Sequence, residues 1–183
     1  MRFALLAPLL LALSFGCAAT GRQVHVGPEI QAYPAGVQAA ALAMWEISDT
    51  DVVTARVGWN ETDREDFGEH DDETGGGPGF SGGWRRYLGE NHSGWMFGGR
   101  ADVWFLDIDW TDHPGTPSEA RGNTDVVVLQ PSVLGGYRWK LGASEWYLDL
   151  TAAVGVEINV STSGEDVGEG AIGLLGFSLT HAF

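Results

Sequence analysis

Nine ionisable residues stand in segments whose side chains alternate between two faces: Arg56, Arg85, Arg100 and Arg138 with Glu29, Glu46, Asp102, Asp149 and Glu157. Alternation at a period of two places them on one side of extended chain, opposite apolar neighbours. Gathered in a narrow space, four guanidiniums and five carboxylates can make a gated ion path, a proton relay or a structural plug of salt bridges. The plug is favoured, because an unpaired buried charge costs several kcal/mol and each group here has an opposite at hand.

A second concentration of acid lies in 61–74, ETDREDFGEHDDET, with eight carboxylates and one Arg. Clustered carboxylates suit hard cations, but Asp63-Arg64-Glu65-Asp66-Phe67-Gly68 misses the EF-hand spacing. The segment reads as an exposed, self-repelling loop. Gly75-Gly76-Gly77 is a hinge without the Lys of a phosphate-binding loop, and no Cys/His spacing suits a metal. No cofactor is implied.

The chain has 183 residues, 10 Lys+Arg against 25 Asp+Glu, and a net charge of −15. That imbalance argues against nucleic acid as a partner. Its 27 glycines are about twice ordinary usage, and with 8 Trp they suggest a Gly-rich β protein in one domain. Residues 1–19 read as a secretory signal peptide: Arg2, an apolar run from Phe3 to Phe15, then small residues. The only cysteine, Cys17, follows the apolar run. Ser14-Phe15-Gly16-Cys17 resembles a bacterial lipobox, so Cys17 is a candidate for lipidation, although Leu13 stands one place too early. Residues 20–183 form the remaining domain.

The elements that must carry these groups are strands. From Trp146 to Val160 every even position is apolar and the odd positions are mostly polar. Similar alternation marks 37–47, 51–60, 95–105, 125–141 and 169–183, and weaker versions mark 23–33 and 79–88. Pro28 and Pro131 lie inside two of these segments, where a bulge would accommodate each. Eight strands result, with short connections at one end and longer ones (61–78, 111–124, 161–168) at the other. Aromatics cluster near strand ends: Trp45, Trp59, Trp84, Trp95, Phe105, Trp110, Trp139 and Trp146. Strand length, loop asymmetry and aromatic girdles favour an eight-stranded antiparallel up-and-down transmembrane β-barrel. A soluble, lipocalin-like periplasmic barrel with the apolar face turned inward is the alternative.

The last nine residues, Leu175-Gly176-Phe177-Ser178-Leu179-Thr180-His181-Ala182-Phe183, resemble the terminal strand of bacterial outer-membrane barrels. The resemblance implies that Phe177, Leu179 and Phe183 form the signal read by the barrel-assembly machinery. His181 departs from the pattern, which more often has an aromatic there. Taken with strand count and loop parity, the chain is similar to small eight-stranded outer-membrane barrels such as the outer-membrane protein A barrel domain. That resemblance implies residence in the outer membrane of a Gram-negative cell, among its lipids and lipopolysaccharide. It implies a structural or surface-interaction role through acidic outer loops, in envelope integrity, adhesion or binding. A lipid-modifying enzyme of the lipid A deacylase or acyltransferase type is the runner-up, and a small ion-conducting pore the third reading. The enzyme would need a nucleophile, a base and an orienting acid near the outer leaflet. His92-Ser93 falls in a turn on the wrong side, His70 and His113 lie in outer loops, and Ser81 or Ser118 would have to reach one of them. His25 is expected in the lumen and His181 at the outward rim.

Overall fold

Eight antiparallel strands follow one another around a closed ring: β1 (Val24–Tyr33), β2 (Gly36–Glu46), β3 (Asp51–Glu65), β4 (Asp72–Tyr87), β5 (Gly94–Asp112), β6 (Ala120–Lys140), β7 (Trp146–Ser163) and β8 (Gly170–Ala182). Each pairs with its neighbour in sequence, and β8 returns to pair with β1, with Ile30 opposite Phe177. The computed structural model describes residues 22–65 and 68–183. The expected signal peptide and Cys17 lie outside the described residues. Both ends of the barrel chain meet at what is here called the proximal end, where Phe183 N–H donates to the Val24 carbonyl at 3.0 Å. The tight turns after β2, β4 and β6 share that end, as the loop parity predicts.

Alternation decides what each face holds. Outward stand Ile30, Val57, Phe80, Phe97, Phe105, Val133, Val154, Leu175 and Phe177, all exposed. Inward, and buried, stand Glu29, Gln31, Gln38, Arg56, Arg85, Arg100, Asp102, Gln130, Arg138, Asp149 and Thr180. A soluble barrel has the opposite arrangement, and an apolar belt of this extent does not face water. The lipocalin-like alternative therefore fails, and the wall is built for lipid. On β5 the belt runs from Trp95 to Phe105; ten residue steps cover about 33 Å of strand, or about 23 Å of depth at a ~45° tilt, close to the height of an outer-membrane apolar band.

Aromatics line the proximal edge of that belt. Trp95 meets Tyr137 edge-on with centroids 5.3 Å apart, Tyr137 lies 4.6 Å from Trp139, and Trp146 lies 5.0 Å from His181. His181, 4.6 Å from Phe183, is thus an interfacial residue, as expected. Trp59, Phe80 and Phe105 mark the distal edge, with the two Phe rings 6.2 Å apart. Trp110, expected in a girdle, points inward instead and is buried.

The longest departures from expectation are at the distal end. β3, β5 and β6 run on to Glu65, Asp112 and back to Ala120, and β4 begins at Asp72. The connections there shrink to 66–71, 113–119 and 164–169. Above Phe105 the polarity of β5 inverts: Asp107 and Asp109 face out, while Leu106, Ile108 and Trp110 face in and are buried. The same happens on β6, where Asn123 and Asp125 are exposed and Val126 and Val128 are buried. Glu61, Asp63 and Glu65 face out on β3. A strand that leaves lipid for water must reverse its apolar face, so this collar is a short stretch of soluble-type barrel standing on the membrane-type one.

The prolines do not bulge the wall. Registers are unchanged across Pro28 and Pro131, and each interrupts rungs on one side only, toward β8 and β7 respectively. The register shift falls between Val127 and Val128 against β7.

Val154 lies midway along the apolar run of β7 and is exposed. Val154→Arg should destabilise the barrel folded into vesicles by about 2–4 kcal/mol. Asp109→Arg, on the collar, should leave its stability nearly unchanged. Urea titration of the vesicle-inserted protein reads both.

Candidate functional site

The wall delivers its inward charges to a single chain of contacts. Arg138 Nε lies 3.2 Å from Asp149 Oδ1, and Arg85 Nη1 donates to Asp149 Oδ2 at 3.2 Å. Arg85 Nη2 donates to Glu29 Oε1 at 3.2 Å, and Arg56 Nη1 lies 2.9 Å from Glu29 Oε2. Arg56 Nη2 is 3.5 Å from Asp102 Oδ1, and Arg100 Nε donates to Asp102 Oδ2 at 2.7 Å. Seven of the nine residues singled out in the sequence thus alternate in charge across the lumen, with four guanidiniums against three carboxylates. The network uses strands far apart in sequence, so it braces the ring across its diameter.

Neutral groups complete it. Arg100 Nη2 donates to Gln31 Oε1 at 2.8 Å, and Arg56 Nη2 donates to Gln38 Oε1 at 3.3 Å. Gln38 and the Trp104 indole N–H both donate to Gln130 Oε1, at 3.1 and 2.9 Å. Trp104 has room to lie across β4 because residue 79 is Gly: a Cβ there would come within 2.2 Å of its ring. Arg138 donates to Tyr87 Oη at 3.0 Å and Thr180 Oγ1 at 2.9 Å. Side chains fill the lumen at this level, as a ring of eight strands allows.

The other two expected members stand apart. Glu46 is at the proximal mouth, where its Oε1 lies 3.0 Å from both His25 Nε2 and His92 Nδ1. His25 faces the lumen as expected, and its Nδ1 lies 3.1 Å from Arg138 Nη2. Glu157 is at the distal end, where Arg64 Nη2 donates to it at 2.7 Å. Arg64 Nη1 donates to Glu73 Oε2 at 3.2 Å. Composition assigns Arg64 and Glu73 to an exposed loop; both are buried, because β3 and β4 extend past the belt and parity turns them inward. Continuing the inward series Arg56, Asn60, Thr62 would have reached Arg64.

Above the seven-residue network, and reaching the level of the Arg64–Glu73 pair, lies an apolar core that no lumen of the expected kind contains. Trp104, Leu106, Ile108, Trp110, Val126 and Val128 form it, and Val167 from the 164–169 connection closes it. That segment folds down into the mouth as a cap. The Gly168 N–H donates to Glu73 Oε1 at 2.9 Å, Asn159 Nδ2 to the Val167 carbonyl at 2.8 Å, and Thr124 Oγ1 to the Glu165 carbonyl at 2.9 Å. His70, expected in an exposed loop, is buried, stacked on Trp110 with centroids 4.1 Å apart and planes 8° from parallel. Its Nδ1 lies 3.1 Å from both Asp112 carboxylate oxygens, and its Nε2 lies 2.9 Å from the Asp166 carbonyl oxygen.

These contacts bear on the catalytic candidates. Both nitrogens of His70 are engaged with acceptors, leaving neither to activate a hydroxyl. His113 is exposed and lies 3.4 Å from Asp71. Ser118 Oγ is 3.0 Å from Thr116 Oγ1, and Ser81 is buried in the lumen beside Asp102 in register. His92 engages the Ser48 carbonyl at 2.9 Å, while the Ser93 hydroxyl donates to the Glu90 carbonyl. Among the described residues, these candidates do not come together as nucleophile, base and orienting acid. Nor does any group of three or more His, Cys, Asp or Glu among the described residues suit a metal ion. Phe177 and Leu179 point outward on β8, the strand that closes the ring, and Phe183 follows its last residue and is exposed.

Glu29 neutralises two arginines, so Glu29→Ala should destabilise the barrel by about 3–5 kcal/mol in urea unfolding. Glu145→Gln, at the exposed pair with Lys140, should leave the midpoint in place. In the collar, the hydrogen bond with His70 holds the Asp112 carboxyl below its ordinary range, helped by the Asp71 N–H. A lowered folded value means that its contribution is fully present above about pH 4 and is lost as pH falls through the lowered value. Asp112→Asn should remove that limb of the acid unfolding curve.

Neither a protein-family model nor a curated protein matches the sequence. Among solved structures, the chain is similar to the N-terminal β-barrel domain of Pseudomonas aeruginosa OprF, at 13% identity and a TM-score of 0.47, covering 86% of this chain and 96% of that one. It is also similar to Ail, the attachment invasion locus protein of Yersinia pestis, at 8% identity and a TM-score of 0.45, covering 88% and 97%. The likeness is one of architecture. By its own closure and polarity, the chain is an eight-stranded outer-membrane β-barrel.

Proposed function

We propose that this barrel is a structural and surface-interacting protein of the outer membrane, acting through an acidic collar and not by conduction or catalysis. The filled lumen carries this reading. A braced network of seven charged side chains occupies its middle, an apolar core its distal part, and a cap its mouth. What remains to meet other molecules is the outer wall of the collar and the loop tips at 68–71 and 113–119. These take the place of the longer loops expected over 61–78 and 111–124.

The partner nearest to hand is the lipid itself. Glu61, Asp63, Glu65, Asp107, Asp109 and Asp125 face outward directly above Trp59 and Phe105, at the level of lipid headgroups. Asp107 and Asp125 stand opposite one another in register, a like-charge pair that unscreened costs stability. Divalent cations between these carboxylates and lipopolysaccharide phosphates would relieve it. The barrel-assembly machinery is the second proposed partner, through Phe177, Leu179 and Phe183.

Planar-bilayer recordings should show no steady conductance from the inserted wild-type protein; a stable open level would overturn the filled-lumen reading. In lipopolysaccharide-containing vesicles, millimolar Ca²⁺ should raise the unfolding temperature of the wild type, and Asp107→Asn with Asp125→Asn should abolish that rise. An equal rise in the double variant would remove the collar from the lipid interaction.

A further inference from the structure

His70 has no free acceptor position on its ring. Its Nδ1 faces the Asp112 carboxylate and its Nε2 faces the Asp166 carbonyl, and neither an ionised carboxylate nor a carbonyl can donate. A neutral imidazole carries one N–H and one lone pair, so it would serve one partner and turn a lone pair on the other. The imidazolium serves both. It also lies flat on Trp110, where a cation is favoured over the indole face. The two acceptors belong to different elements: Asp112 ends β5, and Asp166 is in the cap. The geometry points to a proton-dependent latch: protonated His70 holds segment 164–169 in the barrel mouth, and loss of that proton to solvent loosens the segment.

The charges around the ring are those of every element packed there. Glu69 and Asp71 flank it in its own turn, Glu73 lies on β4, Arg64 on β3 and Glu157 on β7. Asp112 ends β5 and His113 opens the connection after it, and Glu165, Asp166 and Glu169 belong to the cap. Arg64 pairs with Glu73 and Glu157 and donates to the Gly168 carbonyl, tying the cap to β3, while His70 makes the polar bridge from β5 to the cap. What the cap covers is apolar. Val167 is 4% exposed, seated on Trp104, Leu106, Ile108, Trp110, Val126 and Val128, so release would open that seat to water. The ties from Arg64, Glu73, Asn159 and Thr124 do not depend on the His70 proton, so loosening is partial and local.

Hydrogen exchange by mass spectrometry on the vesicle-inserted protein, corrected for intrinsic rates at each pH, tests the latch. In the wild type, protection over 164–169 should fall about tenfold between pH 5.5 and 8.5, the worth of one hydrogen bond. Two variants give opposite results. His70→Phe keeps a ring on Trp110 without an N–H, and should show the low value at both pH values. Asp112→Asn supplies an amide N–H that a neutral His70 can accept, so protection should stay high at both. Equal protection of the wild type at the two pH values overturns the proposal. An undiminished pH difference in His70→Phe also overturns it, because another group would then be titrating. If His70→Phe fails to show heat-modifiable migration, Asp112→Asn decides alone, and a wild-type-like pH difference there overturns the proposal.

Discussion

In hydrocarbon an unpaired peptide group costs several kcal/mol, and no side chain or water is available to satisfy it. The β1–β8 ladder is therefore the interaction on which the rest depends. It converts an eight-stranded sheet with two open edges into a ring with none. Once the ring closes, its bore is too narrow for bulk water, and the inward side chains must satisfy one another. The alternating chain from Arg138 to Arg100 is the result of that confinement. Its excess of one guanidinium is met by neutral acceptors, Gln31 Oε1 and Gln38 Oε1.

The second constraint is that the strands are longer than the lipid is thick. Where β5 passes Phe105, the outside becomes water, and the only way to keep an apolar core is to turn it inward. Asp107 and Asp109 outside, with Leu106, Ile108 and Trp110 inside, are that reversal in five residues. A soluble-type collar needs its mouth closed, and Val167 closes it. The cap thus follows from strand length, just as the charge network follows from closure.

Much of the lower barrel is legible in the sequence, because lipid imposes one rule along each strand. Val53, Ala55, Val57 and Trp59 announce their face without help from neighbours. The collar is harder to read for the same reason: Asp107, Asp109 and Asn123 break the expected pattern and resemble loop. The signal was present as a change of phase, apolar residues moving from odd to even positions at Leu106 while the period stayed at two. Arg64 and Glu73 were hidden in a run of acids whose composition suggests solvent, although their parity places them inside. The pairings themselves were not accessible. Arg85 meets Glu29, fifty-six positions away, only because of the registers through the two strands between them, β2 and β3, and the cap reaches Glu73 across the ring.

The outward residues of β5 mark where the wall leaves lipid for water. Spin labels placed singly at 95, 97, 101, 103, 105, 107, 109 and 111 in the vesicle-inserted protein report this through their collision rates with oxygen and with a water-soluble nickel complex. Oxygen should dominate from 97 to 103, the two should cross near 105, and nickel should dominate from 107 onward. Nickel access along the whole series would contradict membrane insertion, and oxygen dominance through 111 would contradict the collar.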